Sequence, residues 1–300
     1  MNNAILFFYG ISVYDVKKVK TNYYFSYLNS NYVVYLYERD LNDSIFLYNL
    51  NSELFYRGSD CYEIILTKDS NIVFEYEKKY YVLMKIPNIS DRTINYNDIL
   101  NFNYLVDLRR YSKLDKSNWN KLWSNKIDFI EYQFNQMGNK YSIVDDYIDY
   151  YIGLWENAIS YCNNINYNDT RYITHKRIEV DMSLLDFLNP LNFVVDYKER
   201  DYGDYIKSFI LKKNYSFNTF DKLLSHSDRN SLIMIICRIL FPSYFFDIYE
   251  DIVVDNRNEG EILDVVVKSN NILYLLKHIF IKYNYLNIPY IDWIKKEISY

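Results

Sequence analysis

The stretch Ile173–Phe209 reads ITHKRIEVDMSLLDFLNPLNFVVDYKERDYGDYIKSF, and the rest of the chain is organised around it. It contains His175, one of three histidines in 300 residues. An apolar run, Leu191–Val195, follows and ends at Asp196. Two further aspartates, Asp201 and Asp204, lie near the start of a predicted helix. A short apolar run that ends in an acid predicts a buried strand with a carboxylate at its end.

The chain upstream of residue 88 is rich in strand signals. Residues 20–37 alternate and carry many Tyr and Val, and a turn at residues 29–31 divides them into a predicted hairpin. A helix is predicted from residue 43 or 44 to Gly58, followed by strands at 61–67, 72–76 and 80–86. These elements predict a small antiparallel sheet with one helix, in which the last three strands form a meander.

The chain downstream of residue 100 is dominated by helical periodicity. Ser142 and Asp145 predict a capping box that opens one long helix, and Gly138 ends the helix before it. The sequence therefore predicts an α+β protein with an N-terminal β-rich lobe, 1–88, and a C-terminal helical lobe, 89–300, joined near 86–90. Helices are predicted at 115–137, 142–162, 202–212, 228–241 and 260–283, with a short one after Pro289.

Composition excludes several classes of protein. The net charge of −5 gives no basic surface for nucleic acid. The three cysteines stand far apart in apolar contexts, which predicts reduced, buried thiols of a cytoplasmic protein without a disulfide framework. The longest apolar run, Ser231–Phe246, is interrupted by Arg238 and Pro242 and is too short for a transmembrane segment.

A phosphotransferase with two such lobes needs a glycine loop, a lysine on the third strand paired to a helix glutamate, an acid near the acceptor hydroxyl and an acid for magnesium. The glycine loop is missing, because Gly10 is the only glycine before Gly58. The third strand carries tyrosines where the lysine would stand. Lys68, Lys79 and Lys85 are the nearby substitutes.

Three further positions are candidates for the remaining elements. Glu53 stands where the helix glutamate would lie, although a glutamate on an amphipathic helix is more often solvated. His175 opens the segment His-Lys-Arg, and Arg177 takes the place of the acid. Arginine cannot accept a proton at physiological pH, so this loop is degenerate as a catalytic base, and His175 is favoured as a structural histidine.

Asp196 is the best candidate for retained chemistry. As a strand-ending acid, it could hold a metal ion together with Asn192, or simply terminate the strand at a turn. Asp201 is interpreted as a cap of the following helix. A second His-x-Asp segment, at 226–228, is interpreted as a cap because no strand ending in an acid follows it.

Seven segments, spread in order along nearly the whole chain, resemble those of one known family. They are YVVYLYER (32–39), YYVLMKIP (80–87), DYYIGLWENAISYC (149–162), THKRI (174–178), NPLNFVVDYKERDYGDYIKSF (189–209), CRILFPSYFFDIY (237–249) and IPYIDWIK (288–295). On these segments, the chain resembles the CotS-like spore-coat proteins, in their YutH-type branch, within the aminoglycoside-phosphotransferase part of the protein-kinase-like superfamily. The resemblance implies a two-lobe kinase-like fold, with His175 matching the catalytic-loop histidine and Asp196 the metal aspartate, while Arg177 departs from the acid.

The function that this resemblance and the missing elements favour is that of a pseudokinase acting by binding or assembly, with spore-coat or other protein partners. The alternative is a divergent ATP-dependent phosphotransferase acting on a small-molecule hydroxyl, and a third interpretation is a binding domain unrelated to kinases. No cofactor is assigned, and ATP and magnesium are expected only if nucleotide binding is retained. The expected location is cytoplasmic, with the spore coat as the site implied by the family.

Overall fold

A computed structural model describes residues 1–137, 140–212, 217–225 and 227–296. The chain divides into two compact units, and both are discontinuous in sequence. Unit 1 comprises Met1–Asp115, Thr170–Lys176 and Asp181–Asp196, and unit 2 comprises Lys116–Asp169, Arg177–Val180 and Tyr197–Tyr300. The predicted boundary between lobes 1–88 and 89–300 stays a prediction.

The α+β class is confirmed, since a β-rich first part precedes a helical majority. The helices of the described residues are α1 (Asn2–Tyr9), α2 (Ser44–Tyr56), α3 (Tyr96–Asn101), α4 (Trp119–Met137), α5 (Ser142–Cys162), α6 (Leu184–Phe187), α7 (Glu199–Lys212), α8 (Phe217–Leu224), α9 (Arg229–Leu240), α10 (Ser243–Asp255), α11 (Glu261–Lys282) and α12 (Asp292–Lys296). The strands are β1 (Lys17–Val19), β2 (Asn22–Tyr27), β3 (Ser30–Leu36), β4 (Glu63–Ile65), β5 (Phe74–Tyr76), β6 (Lys79–Lys85), β7 (Leu105–Val106), β8 (Arg171–His175) and β9 (Phe193–Asp196).

Unit 1 contains an antiparallel sheet in the order β1-β2-β3-β6-β4, with β5 also paired to β6. The predicted hairpin is confirmed as β2 and β3, and its turn residues Leu28 and Asn29 have φ values of 46° and 61°. These left-handed conformations match the twist of the two strands. The three later strands do not form the expected meander, because β4 and β5 both pair with β6 and lie against different parts of it.

Helix α2 is tied to the sheet by one buried amide. Asn51 donates from Nδ2 to the Tyr62 carbonyl at 2.6 Å, and its Oδ1 accepts from the Ile64 amide at 3.0 Å. Leu47, Leu50 and Leu54 on the same helix are buried, as their spacing predicts. The sequence pattern missed α1, whose Ala4 and Ile5 pack into a core with Phe25 and Leu83 on the sheet.

A smaller antiparallel sheet in unit 1 holds the stretch that opens the sequence analysis. Its order is β7-β8-β9, and the pairing places Tyr172 opposite Asp196 and His175 opposite Phe193. The second part of the apolar run is therefore a strand that ends in Asp196, as predicted, whereas Leu191 and Asn192 lie in the tight turn before it. All four residues of β9 are buried.

Unit 2 is helical, with α5 packed against α4 and α9, and α7 packed against α9 and α11. Aromatic rings fill its interior, for example Trp123 stacked on Phe241 at 4.3 Å between ring centroids. The predicted capping box is wrong, because Tyr141 is the N-cap of α5 and makes no side-chain cap bond. Asp228 caps α9 as expected, accepting from the Ser231 amide at 2.7 Å. Gly138 and His226 lie outside the described residues.

The segment Arg229–Asp255 is long and apolar enough for a membrane span by length and composition, because an 18-residue stretch within it has a mean hydropathy of 1.7. However, 72% of that stretch is buried inside the protein. Two helices share the segment, and α9 ends before Phe241 and Pro242. Within the described chain, this is the pattern of core helices and gives no clear transmembrane span.

Two of the three cysteines form a disulfide, which overturns the expectation of reduced thiols. Cys162 at the end of α5 and Cys237 on α9 have Cα atoms 5.9 Å apart and are joined across 75 residues of sequence. The packing of α5 on α9 brings them together, and no local spacing could reveal it. Cys61 is free and buried, as predicted.

Candidate functional site

His175 is fully buried in unit 1 and lies in a box of aromatic rings. Its ring stacks on Phe187 at 4.2 Å between centroids, and the rings of Phe102 and Phe193 lie at 5.1 and 5.3 Å. Its Nε2 is 2.8 Å from the carbonyl oxygen of Phe187. The imidazole therefore ties the short helix α6 to β8, in line with the structural role that the sequence favoured.

Asp196 closes β9 and is also fully buried. In the β8–β9 pairing, it lies three register positions from His175, which is about 10 Å along a strand. Because side chains alternate between the faces of a strand, the two side chains point to opposite faces. The structure does not bring this histidine and this acid together.

Asn192 lies at the other end of β9 from Asp196, in the tight turn Pro190–Asn192. Its Nδ2 donates to the carbonyl oxygen of Asp186 at 3.0 Å, and its own carbonyl accepts from the Lys176 amide at 2.7 Å. The four-residue step from Asn192 to Asp196 corresponds to about 13 Å of extended chain. Ligands of one magnesium or calcium ion lie within about 2.6 Å of it, so these two side chains do not fit a single ion.

Asn192 is therefore not placed to bind the same metal ion as Asp196. Among the described residues, no group of three or more His, Cys, Asp and Glu side chains is placed to hold a metal ion. We assign no metal to this part of unit 1, and the role of Asp196 stays a prediction.

Glu53 on α2 makes its contacts without a lysine. Arg57, one turn later on the helix, forms an ion pair with Oε1, and the hydroxyl of Tyr111 donates to Oε2 at 2.6 Å. Arg57 also donates to the carbonyl oxygen of Leu105 at 2.7 Å. Glu53 thus links α2 to the segment that precedes α4, and its cofactor-binding role stays a prediction.

The substitute lysines lie in three different places in unit 1. Lys68 donates to the Leu6 carbonyl at 3.3 Å, close to the end of α1. Lys79 is exposed and starts β6, beside the tight turn at Lys78. Lys85 ends β6 opposite Tyr32. Glu53 has ion-paired with Arg57 instead of any of them.

Arg39 is a residue of unit 1 that the sequence pattern missed. Its guanidinium donates to the carbonyl oxygens of Leu191 at 3.2 Å and Phe193 at 2.7 Å, and it pairs with Asp43 at 3.4 Å. The side chain is only 7% exposed. It anchors the start of β9 to the segment that leads into α2. An arginine shortly after the third strand was the only sequence signal, and the two carbonyls that it binds lie more than 150 residues away.

Arg177, which the sequence predicts at the position of the catalytic base, belongs to unit 2. It forms ion pairs with Asp247 of α10 and, at 3.9 Å, with Glu179. Glu179 is also paired with Lys212 at the end of α7. Burial raises the pKa of Asp247, although the charge of Arg177 opposes this shift. Arginine cannot accept a proton at physiological pH, and its guanidinium is here ion-paired with carboxylates. Its assignment to the position of a lost base stays a prediction.

A second group of buried charges in unit 2 is centred on Asp204. Arg238 donates from one guanidinium nitrogen to both carboxylate oxygens, at 2.9 and 2.7 Å, and Lys207 lies 3.4 Å from Oδ1. Burial by itself would raise the pKa of Asp204, but Arg238 and Lys207 lower it to about 2. Burial lowers the pKa of Lys207 to about 8, an effect that Asp204 opposes. We call Asp204, Lys207 and Arg238 the ion cluster.

The ion cluster requires close approach of α7 and α9. A Cβ on Gly203 would lie 2.5 Å from Cβ of Arg238, so only glycine fits here without a shift. Lys207 also donates to the carbonyl oxygens of Arg238 and Phe241, both at 3.1 Å. Asp201, predicted as a helix cap, instead lies inside the first turn of α7 and is buried.

The fold has close counterparts among solved phosphotransferases. An aminoglycoside phosphotransferase from Alicyclobacillus acidocaldarius superposes with a TM-score of 0.67 over 95% of this chain and 97% of that one, at 9% identity. The amicoumacin kinase hAmiN gives a TM-score of 0.60 at 9% identity, covering 90% of this chain and 91% of the kinase. Spectinomycin phosphotransferase APH(9)-Ia, with ADP and spectinomycin, gives 0.58 at 11% identity, over 90% and 92%. At these identities the likeness establishes the kinase-like fold.

Sequence comparison shows to which family with this fold the chain belongs. The curated "Endospore coat-associated protein YutH" of Bacillus subtilis (strain 168) is 26% identical over 229 residues. The match spans 65% of this chain and 65% of the length of that relative. The family model described as "Spore coat putative kinase YutH" matches residues 2–265. The chain belongs to the YutH family of kinase-like spore-coat proteins.

Proposed function

We propose that this chain is a pseudokinase that acts by binding or assembly at the spore coat. The observation that carries the proposal is Arg177, which stands where the catalytic base is expected and is ion-paired with Asp247. A base must accept the proton of the acceptor hydroxyl, and an arginine paired with carboxylates cannot do so.

The other expected elements support the same proposal. His175 uses its Nε2 on the Phe187 carbonyl and is shielded by rings, so it has the environment of a core residue. Glu53 is held by Arg57 and Tyr111. Gly10, the only early glycine before Gly58, ends α1 with a φ of +72° and gives no loop of glycines over a phosphate.

The proposed place of action comes from the family. The Bacillus subtilis relative is described as endospore coat-associated. A kinase-like fold without its base offers a folded surface for protein partners, and an assembly role in the coat requires only such a surface.

Nucleotide chemistry provides the first test. Calorimetric titration with ATP and magnesium, and an ATP turnover assay, are run on the wild type, Asp196→Asn and Arg177→Asp. We expect wild-type turnover at the level of the buffer and no change in Asp196→Asn. Wild-type turnover that Asp196→Asn abolishes would overturn the proposal and favour the divergent phosphotransferase.

Association with the coat provides the second test. A tagged copy of this chain is produced in a sporulating Bacillus subtilis strain that lacks its own YutH, and coat extracts are compared with the forespore interior. We expect the wild type and Asp196→Asn in the coat extract in equal amounts, since binding requires no turnover. A chain confined to the forespore interior, or a coat signal lost in Asp196→Asn, would contradict the assembly role.

A further inference from the structure

Helix α11 is apolar on two opposite sides. One side is the buried face that packs within unit 2, with Ile272, Leu276 and Ile279 among its residues. The other side carries Leu263, Val267, Tyr274 and Ile281, which are between 41% and 71% exposed. A surface helix normally turns polar residues outwards, so this second apolar side is unusual. We call these four residues the α11 stripe.

The spacing of the α11 stripe is that of a helix which pairs with another helix. Val267, Tyr274 and Ile281 recur every seven residues, and seven residues are just short of two turns of about 3.6 residues each. The three side chains therefore line up along one edge of α11. The opposite edge of the helix is held in place by unit 2, so the stripe is a preformed and fixed surface.

Three of the four residues of the α11 stripe are spaced symmetrically about Tyr274, and Leu263 lies beyond them towards the start of the helix. Val267 precedes Tyr274 by seven residues and Ile281 follows it by seven. If two copies of α11 run antiparallel with a two-fold axis at Tyr274, Val267 of each copy faces Ile281 of the other. A two-fold interface must match itself in this way, with residue i against j and j against i.

The charges beside the stripe select the antiparallel arrangement. Asp264 lies ten residues before Tyr274 and Lys282 eight residues after it, and both fall about 80° to the same side of Tyr274 at about 100° per residue. In the antiparallel pair, Asp264 of one copy lies beside Lys282 of the second copy, offset by about 3 Å along the axis. Parallel two-fold pairing would leave Asp264 of one copy and Lys282 of the other on opposite flanks of the interface and about 27 Å apart along the axis, so they could not pair.

Lys282 keeps its position through a contact within the same chain. Its ammonium pairs with Asp221 of α8, which also accepts from Nε2 of His278 at 3.1 Å. The Lys282 side chain is still 46% exposed at the edge of the stripe. Its charge therefore orients the approaching copy, while the apolar contacts supply the attraction.

From these features we infer that the α11 stripe is a self-association surface, and that a second copy of this chain binds it antiparallel about Tyr274. The inference is independent of the proposed pseudokinase role. The 22 residues of α11 span about 33 Å, and a stripe about 10 Å wide covers roughly 330 Å² per copy. This is below the about 800 Å² per partner of stable dimers, so the dimer is weak and forms at high concentration.

Sedimentation velocity of the whole chain tests the self-association. Wild type, Tyr274→Lys and Phe129→Lys are compared from roughly 10 to 500 µM, the range in which a small interface assembles. Phe129 is a matched control because it is 58% exposed and lies on α4, outside the stripe. We expect a concentration-dependent rise in sedimentation coefficient for wild type and Phe129→Lys, and a monomer throughout for Tyr274→Lys, which places two ammonium groups on the axis.

Cysteine cross-linking tests the geometry. Tyr274→Cys is expected to cross-link to itself under mild oxidation, whereas Val267→Cys and Ile281→Cys cross-link to each other in a mixture but not to themselves. In the antiparallel pair, two copies of Val267 are about 21 Å apart, well beyond the about 7 Å limit for Cα atoms of a disulfide. The wild type, whose only free cysteine is the buried Cys61, gives the background.

Three results would overturn the inference. They are a monomeric wild type at every concentration, which would leave the stripe to a different partner, self-association that Tyr274→Lys does not weaken, and self-cross-linking of Val267→Cys as in a parallel pair. Circular dichroism of each variant establishes that it is folded before it is compared.

Discussion

The aromatic box of His175 in unit 1 and the ion cluster of Asp204 in unit 2 bury polar side chains in different ways. His175 is surrounded by rings and bonds a backbone carbonyl. Asp204 is surrounded by charges, with both carboxylate oxygens bound by Arg238. A buried ring loses mainly packing when it is removed, whereas a buried charge that loses its partner is left uncompensated. His175 and Asp204, which come from one stretch of sequence, are thus buried in two different kinds of environment.

The largest effect is expected from breaking the ion cluster. In Arg238→Met, Asp204 loses the cation that binds both of its carboxylate oxygens, and we expect a loss of about 3–5 kcal/mol in the free energy of unfolding. Urea unfolding followed by tryptophan fluorescence measures it, because Trp119, Trp123, Trp155 and Trp293 all belong to unit 2.

The double variant Asp204→Leu with Arg238→Met is the control for this prediction. Removing both charges takes away the uncompensated carboxylate, so much of the loss should be recovered. If Arg238→Met alone costs less than about 1 kcal/mol, the cluster behaves like a surface ion pair and the comparison with the aromatic box fails.

A smaller effect is expected from emptying the aromatic box. His175→Ala removes a ring that stacks on Phe187 and leaves the Phe187 carbonyl without this donor, which predicts a loss of about 2–4 kcal/mol. Hydrogen exchange of peptides from β8 and β9 measures it, since unit 1 contains none of the tryptophans.

The variant His175→Phe separates the two contributions to the box. It keeps a ring against Phe187 and loses only the bond to the carbonyl, so the loss should be smaller than in His175→Ala. Equal protection of β8 in both variants and the wild type would show that the box contributes nothing to stability.

The ion cluster should also make the free energy of unfolding depend on pH. The folded pKa of Asp204 is about 2, below its ordinary value of 3.8. Stability from this depressed pKa is therefore fully present above about pH 4 and is lost as the pH falls towards 2, by about 2 kcal/mol. Acid titration of the tryptophan signal in unit 2 measures this loss, and the same slope in Asp204→Asn would contradict the assignment to Asp204.

The smallest effect is expected at Arg177. Its side chain is 53% exposed, and its partners Asp247 and Glu179 are also partly exposed. Arg177→Met should therefore change the free energy of unfolding by less than about 1 kcal/mol. Urea unfolding compares it with Arg238→Met, and an equal loss in both would mean that the Arg177 pair is as essential to unit 2 as the ion cluster.

Local sequence patterns predicted most elements but few of their partners. The hairpin, α2 and α5 were predictable because strand alternation and helical spacing depend on neighbours a few residues away. Helix α10 was not predicted, although Pro242 marks its start, because the apolar run Ser231–Phe246 extends across the boundary between α9 and α10. The cap of α5 was wrong since Ser142 lies inside the helix.

At the candidate site, the contacts between distant residues were also not predictable from the sequence. The sequence identified His175, Arg177 and Asp196 as the positions of interest from their order alone. It could not show that Arg39 binds carbonyl oxygens at the start of β9 or that Arg238 binds Asp204. Arg39 and Leu191 are 152 residues apart, and Arg238 and Asp204 are 34 residues apart. Long-range contacts leave no spacing in the sequence.

By itself, the sequence determined most of the strands and helices, the lack of a glycine loop and the presence of an arginine where a base was expected. These are matters of residue type and local periodicity, which the chain carries at every point. Only the tertiary structure decided that His175 and Asp196 point to opposite faces of a strand pair, that Cys162 joins Cys237, and that Tyr274 lies at the centre of an exposed apolar stripe. Each depends on which distant segments pack together, and burial, pairing and register are settled only when the chain folds back on itself.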